Sequence, residues 1–97
     1  MSESVFKDNL FKGKKVFITG GATGMGFGFA KAFVEHGADV FIASRKEEKL
    51  KEASKKMEEM VGKSLLWKVM DVRDFESVEK TSKFLAAEWG HIDILIN

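Results

Sequence analysis

The chain of 97 residues contains no cysteine and no tyrosine, and its 16 Lys and Arg nearly cancel its 15 Asp and Glu. The lack of cysteine excludes disulfides, thiolate metal sites and a thiol nucleophile. A net charge of +1 provides no basic surface of the kind that binds nucleic acid or an anionic membrane. No apolar run reaches the length of a membrane span, and the N-terminus has no long apolar signal-peptide core. We therefore expect a soluble, intracellular and specifically cytoplasmic protein, with no nucleic acid, membrane or metal as a partner.

The rest of the chain is organised around the stretch 15–34. It opens with an apolar run at 16–18, which is typical of a buried strand. Apolar residues at helical spacing end the stretch, and five glycines lie between the two patterns: Gly20, Gly21, Gly24, Gly26 and Gly28. A strand that turns through glycines into a helix directs free backbone N–H groups and the positive end of the helix dipole at one point. This arrangement predicts a phosphate-binding turn.

Two common phosphate-binding patterns do not fit this turn. The P-loop pattern G-x-x-x-x-G-K-S/T is met at Gly21 and Gly26, but Phe27 and Gly28 stand where lysine and a hydroxyl residue are required. Without the lysine, no side chain reaches the β- and γ-phosphates of a nucleotide. The pattern G-x-G-x-x-G requires a third glycine at position 29 or 31, and neither position holds one. A magnesium-dependent ATP or GTP binder is therefore the weakest hypothesis.

The pattern that fits is T-G-x-x-x-G-x-G, formed by Thr19-Gly20, Gly24 and Gly26. In this the chain resembles the short-chain dehydrogenase/reductase family, whose members carry the pattern between the first strand and first helix of a Rossmann fold. Gly20 would permit the tight turn that leaves the strand, and Gly24 would let the backbone approach a pyrophosphate. Gly26 would let the helix lie close to the sheet. The predicted cofactor-binding turn also includes Gly21, Thr23 and Met25. The alternative is a glycine-rich turn that binds no ligand.

Strand and helix patterns alternate along the whole chain, in the order β-α-β-α-β-α-β. Strands are predicted at 16–18, 39–44, 65–70 and 92–96, with helices at about 25–36, 45–61 and 75–89. The connections are long enough for right-handed parallel crossovers. We therefore predict an α/β fold, the first half of a Rossmann-type doubly wound parallel sheet in spatial order 3-2-1-4. Residues 1–97 would be the N-terminal part of a single NAD(P)-binding domain that stops before its catalytic half.

Two predictions concern burial. Phe27, Phe29 and Phe33 occupy much of the surface of the first helix, so we expect that helix to be well buried. The last strand, at 92–96, is also expected to be buried.

The end of the second strand distinguishes NAD from NADP in Rossmann sites, because a carboxylate there bonds the ribose 2′-hydroxyl and repels a 2′-phosphate. Ser44 stands at this position, and Arg45 and Lys46 follow. Arg45 could hold a 2′-phosphate through a bidentate pair, with Lys46 and Lys49 adding positive charge. The sequence predicts NADPH (NADP) as the cofactor, with NAD less favoured. The alternative is that Arg45 merely begins a charged surface helix.

Residues farther along the chain extend the resemblance. Asp71-Val72 ends the third strand and resembles the family's aspartate that accepts a hydrogen bond from the adenine amino group. Asn97 resembles the first asparagine of the family's N-N-A-G segment, which would fix the fourth strand beside the cofactor. The segments ITGG, IASRK, MDVRD and IDILIN are most similar to 2,4-dienoyl-CoA reductases, which use NADPH to reduce dienoyl thioesters.

The family's catalytic residues have no counterpart in the chain. Its members use a Tyr-x-x-x-Lys pair and a serine, all placed after the N-N-A-G segment, and this chain has no tyrosine. We assign no catalytic residue. The resemblance implies the cofactor-binding half of an NADPH-dependent oxidoreductase that acts on a small molecule, such as an acyl-CoA thioester or another carbonyl or enoyl compound. It also implies a homo-oligomer when intact. The alternative is a non-catalytic dinucleotide-binding module or a remnant.

Overall fold

The computed structural model describes residues 10–20 and 22–97. Within them, four strands alternate with three helices: β1 (Lys15–Thr19), α1 (Gly24–Glu35), β2 (Asp39–Ser44), α2 (Glu47–Val61), β3 (Leu66–Val69), α3 (Phe75–Glu88) and β4 (Ile94–Ile96). The predicted order of elements is confirmed. None of the helices in this described part of the chain combines the length and the apolarity that crossing a bilayer requires.

The strands form one parallel sheet in the order β3-β2-β1-β4, as predicted. β1 lies inside the sheet, where Val16 is paired with Val40 of β2 on one side and with Ile94 of β4 on the other. β3 extends the sheet beyond β2, with Ser44 opposite Val69. Because all pairs are parallel, the carboxyl ends of the strands meet at one edge of the sheet.

The core has two layers, one on each face of the sheet. Val16 and Ile18 point to the face covered by α1 and α2, where they are packed with Val34, Leu50 and Met57. The other face, under α3, buries Phe17, Phe41, Ala43, Met70 and Leu85. Successive residues of a strand point to opposite faces, so a strand covered on both faces must be apolar at every position. This explains the uninterrupted apolar runs in β1 and β2.

The helix ends follow the sequence signals. α2 ends at Gly62, whose φ of +81° is the left-handed conformation that glycine adopts without strain. α3 begins after Asp74, whose carboxylate accepts a hydrogen bond of 3.0 Å from the amide of Glu76. Asp74 is thus the N-cap of α3.

The two burial predictions are confirmed only in part. Phe27 and Phe33 of α1 are half-buried and packed against the core, as are Ile94 and Ile96 of β4. In α1 the buried residues are Ala30 and Val34, while Phe29 is 44% exposed. The sheet covers a single stripe of a helix, and Phe29 lies outside that stripe. β4 spans Ile94–Ile96 only, and its Leu95 is 58% exposed. Leu95 is paired with Phe17 on the α3 face, but the cluster packed under α3 includes Phe17 and not Leu95.

Candidate functional site

A cleft of about 410 Å³ opens at the carboxyl edge of the sheet, where β1, β2 and β3 end. The residues that line it come from those three strand ends and the loops that follow: Thr19, Gly20, Ala43, Ser44, Arg45, Met70, Asp71, Val72 and Arg73. The structure thus brings together five of the residues that the sequence assigned to cofactor binding: Gly20, Ser44, Arg45, Asp71 and Val72.

Backbone hydrogen bonds hold the three strand ends in line. The amide of Gly20 donates to the carbonyl of Ala43 at 2.8 Å, and the amide of Met70 donates to the carbonyl of Ser44 at 2.8 Å. The amide of Asp71 donates to the hydroxyl of Ser77, in α3, at 2.9 Å. The first two bonds extend the pairing of β1 and β3 with β2 by one residue, and the third ties the residue after them to α3.

The turn after β1 requires glycine because of its backbone conformation. Gly20 has φ of +72° and Gly24 has φ of +58°, in the region that side chains disfavour. A Cβ built on either residue would meet no heavy atom within 4 Å, so crowding is not the reason. The open space above both residues would let a ligand approach the backbone closely. Gly21, also predicted to bind the cofactor, lies outside the described residues.

The N-terminus of α1 differs from those of the other two helices. Its N-cap, Thr23, makes no side-chain cap bond, and the first turn carries no acidic residue. α2 has Glu47 and Glu48 in its first turn, and α3 has the Asp74 cap. The positive end of the α1 dipole is therefore not compensated by its own side chains, and this favours the binding of an external anion there.

Four predicted residues of the turn and α1 lie outside the cleft lining. Thr23 and Gly24 line a separate depression between α1 and α2. Met25 is 78% exposed, and Gly26 is half-buried within α1. They stand beside the start of α1, at the positive end of the helix, and not beside Asp71.

Of the three predicted cations after β2, Arg45 alone lines the cleft. Its side chain makes no ion pair with any residue in 10–20 or 22–97, so the guanidinium is available to a ligand. Lys46 and Lys49 line a different depression together with Glu47 and Glu48. The structure does not bring these two lysines to the cleft.

Arg73 lines the cleft and was missed from the sequence. Its Nε lies 3.2 Å from Asp71 Oδ1, its Nη2 lies 3.2 Å from Oδ2, and its amide donates to Oδ1 at 2.9 Å. These hydrogen bonds, together with the charge of Arg73 and a smaller effect of Arg45, hold the pKa of the Asp71 carboxyl below its ordinary value. The available signal was a basic residue two positions after a carboxylate at a strand end.

Asn97 lies beside the end of β1, outside the lining of the cleft. The Thr19 hydroxyl is 3.4 Å from Asn97 Oδ1 and 3.4 Å from the carbonyl oxygen of Ile96. Both distances exceed the usual O–H···O range, and the single hydroxyl proton of Thr19 can serve only one of the two acceptors at a time.

The model of the short chain dehydrogenase family matches residues 14–97. The chain belongs to this family. The peroxisomal 2,4-dienoyl-CoA reductase of Danio rerio is a relative with 38% identity over 93 residues, which cover 96% of this chain and 31% of that enzyme. The chain thus spans about a third of the length of this short-chain dehydrogenase relative.

Solved structures of short-chain dehydrogenases share the fold. Citronellol catabolism dehydrogenase of Pseudomonas aeruginosa PAO1 has a TM-score of 0.89 and 35% identity, over 97% of this chain and 39% of that one. L-Sorbose reductase from Gluconobacter frateurii, solved with NADPH and L-sorbose, has a TM-score of 0.83 and 30% identity, over 94% and 34%.

The residues present fit the dinucleotide cofactor that membership of the short-chain dehydrogenases implies. The turn after β1 leaves open space above Gly20 and Gly24, and α1 begins without an acidic side chain. The cleft adds a guanidinium at Arg45, which suits a phosphate, and a carboxylate at Asp71, which suits an amino group.

Proposed function

We propose that this chain is the cofactor-binding half of an NADPH-dependent short-chain oxidoreductase. The observation that carries the proposal is the guanidinium of Arg45, which lies in the cleft next to Ser44 at the end of β2 and makes no ion pair with the residues that the structure describes. A carboxylate at the position of Ser44 would repel a 2′-phosphate, whereas a hydroxyl does not. Arg45 can form two parallel hydrogen bonds to one phosphate group.

The charge of the cleft supports the phosphorylated coenzyme. Its ionised side chains are Arg45, Arg73 and Asp71, two cations and one anion. Asp71 is already paired with Arg73, so the repulsion it would exert on a phosphate is reduced. One net positive charge remains, and it belongs to the residue best able to bind a 2′-phosphate.

The other parts of the coenzyme have matching partners. The pyrophosphate would lie at the N-terminus of α1, over Gly24. The adenine amino group would donate to the carboxylate of Asp71, and Val72, 66% exposed, offers an apolar surface to the base. Asn97, beside Thr19, would hold the end of β4 next to the cofactor.

When bound, the reduced nicotinamide supplies a hydride. The side chains of this chain bind and orient the adenosine end of the coenzyme, and none of them is assigned to proton transfer, since the chain contains no tyrosine. We propose a carbonyl or enoyl substrate for the whole protein. A 2,4-dienoyl-CoA thioester is favoured among these because a relative named 2,4-dienoyl-CoA reductase aligns with 96% of the chain. We further propose that the whole protein is a homo-oligomer.

Separate titrations of the natural protein with NADPH and NADH, followed by calorimetry, test the proposal. We expect NADPH to bind at least tenfold more tightly, because a charge-assisted pair at the 2′-phosphate is lost with NADH. Equal affinities, tighter binding of NADH, or no binding of either would overturn it. NADPH binding without turnover of carbonyl or enoyl substrates would instead support a non-catalytic dinucleotide-binding module.

A further inference from the structure

The ion pair between Asp71 and Arg73 differs from an ordinary surface pair in its geometry. Both carboxylate oxygens face the same guanidinium, each at 3.2 Å, and the Arg73 amide adds a third bond at 2.9 Å. The backbone of Asp71 is itself held, since its amide donates to Ser77 and its carbonyl accepts from the amide of Asp74 at 3.0 Å. The orientation of the carboxylate is therefore fixed from two sides.

The hydrogen bonds of the carboxylate can be counted oxygen by oxygen. An ionised carboxylate offers about four acceptor positions, two on each oxygen. Oδ1 accepts from the amide and the Nε of Arg73, so both of its positions are filled. Of the groups in 10–20 and 22–97, Oδ2 accepts from Nη2 of Arg73 alone. One acceptor position is left, on Oδ2.

Exposure places Arg73 on the solvent side of this pair. The side chain of Arg73 is 71% exposed and that of Asp71 is 33% exposed, and both line the cleft. The other charged group acting on Asp71 from a neighbouring element is Arg45, after β2, while Ser77 from α3 is neutral. Both charged neighbours favour the ionised carboxylate, which can accept a hydrogen bond but cannot donate one.

We infer that Arg73 is a positioning residue: its bonds to both oxygens of Asp71 fix the orientation in which the remaining acceptor position on Oδ2 meets the amino group at C6 of a purine in the cleft. The inference rests on the proposed function, namely that a purine dinucleotide occupies the cleft. Adenine presents an N–H donor at C6, which the free position on Oδ2 can accept. Hypoxanthine presents a carbonyl oxygen there, which an ionised carboxylate repels.

An exposed ion pair on its own contributes little to folding stability. A purely structural role for Arg73 and a positioning role predict different effects of its loss on coenzyme binding. If Arg73 only stiffened the loop, its loss would weaken the binding of both bases equally. If Arg73 instead positions Asp71, its loss frees the carboxylate to turn away from the base, because its acceptor positions are no longer held. The ratio of the affinity for the adenine coenzyme to that for the hypoxanthine coenzyme would then fall.

The experiment measures dissociation constants of the natural protein for NADPH and for the reduced form of nicotinamide hypoxanthine dinucleotide phosphate. We expect the native protein to prefer the adenine coenzyme by roughly tenfold or more. Arg73→Gln should reduce that preference severalfold, and Arg73→Lys, which keeps the charge without the planar fork, should restore part of it. Lys83→Gln, which removes one exposed positive charge from α3, is the matched control and should leave the preference unchanged.

The outcomes separate the two proposals. Failure of the native protein to bind either coenzyme overturns the proposed function, and this inference with it. Tight NADPH binding with the same preference in Arg73→Gln as in the native protein overturns this inference alone. Equal weakening of both coenzymes in Arg73→Gln also overturns it, since that is the result expected of a merely structural residue.

Discussion

Asp93 and Lys15 exchange two hydrogen bonds at the place where β4 joins β1. The amide of Lys15 donates to Asp93 Oδ2 at 2.8 Å, and the amide of Asp93 donates to the carbonyl of Lys15 at 2.8 Å. The Asp93 carboxylate thereby supplies the acceptor for the backbone amide of the first residue of β1. His91, with Nε2 at 3.3 Å from Oδ2, adds a third contact. Asp93 therefore fixes the register of β4 before its first paired residue.

This contact predicts an acid-sensitive contribution to stability. The bond from the Lys15 amide, helped by the charges of His91 and Lys14, holds the pKa of the Asp93 carboxyl below its ordinary value. A carboxyl whose pKa is lowered in the folded state stabilises the protein at any pH above its ordinary pKa. This stabilisation is lost as the pH falls through the lowered pKa of the folded state. We expect Asp93→Asn to be less stable than the native protein at neutral pH, with the two converging in acid. Denaturant unfolding as a function of pH measures this, with Glu79→Gln on the exposed surface of α3 as the control. A constant difference at every pH would contradict the prediction.

The cofactor preference is predicted to depend on Arg45. Arg45→Asp replaces the phosphate-binding cation with an anion, so NADPH should bind on the order of a hundredfold more weakly, while NADH should bind as well or better. Lys63→Asp makes the same change of charge near the opposite edge of the sheet, beside Gly62, and should leave both affinities unchanged. Calorimetric titration of the native protein and the two variants with each coenzyme gives the six dissociation constants. An unaltered preference in Arg45→Asp would show that the 2′-phosphate is held elsewhere.

The glycines of the turn and of α1 are predicted to respond oppositely to the same substitution. Gly20→Ala forces a side chain into a backbone conformation with φ of +72° and should lower the free energy of unfolding by about 1–2 kcal/mol. Gly28 lies inside α1 with open space where a Cβ would stand, so Gly28→Ala should raise the free energy of unfolding by about 0.5–1 kcal/mol. Denaturant unfolding of the two variants checks both signs at once. Similar losses of stability in both variants would mean that crowding around the new methyl group, and not backbone conformation, determines the effect of the substitution.

The α3 face of the sheet is predicted to depend on Phe41. Its ring is fully buried, with its centroid 5.0 Å from that of Phe17 and 6.1 Å from that of Trp89. Phe41→Ala should therefore lower the free energy of unfolding by about 3–5 kcal/mol. Phe75, 78% exposed at the start of α3, is the matched control, and Phe75→Ala should change it by about 0.5 kcal/mol or less. Equal effects would contradict the assignment of the core.

The order and pairing of the elements could be predicted because of the way a parallel sheet is covered. A strand buried on both faces is apolar without alternation, as at 40–43, and the glycines at 37 and 62 mark helix ends clearly. The exposure of Phe29 in α1 could not be predicted from the same rules. Its phenylalanines surround the helix, and only the packed structure determines that Ala30 is buried and Phe29 is not.

The candidate site could be predicted in part for a related reason. Residues at the carboxyl ends of neighbouring parallel strands must come together, so the meeting of Ser44, Arg45 and Asp71 follows from the strand order alone. Lys46 is different, because it is the N-cap of α2 and the helix leads away from the cleft. Arg73 reaches Asp71 through the conformation of one short turn, which no spacing rule encodes.

The strictly parallel pairing has a consequence for how the chain folds. No two neighbouring strands are joined by a hairpin, so pairing β1 with β2 already brings together residues 24 apart, as in Lys15 and Asp39. Pairing β1 with β4 joins Val16 to Ile94, 78 positions away, at an extra loop-closure cost of about 1 kcal/mol. We therefore expect slow folding for a chain of this size, in which the β1–α1–β2 unit nucleates and β4 docks last. The transient species would expose the flank of β1 that β4 later covers.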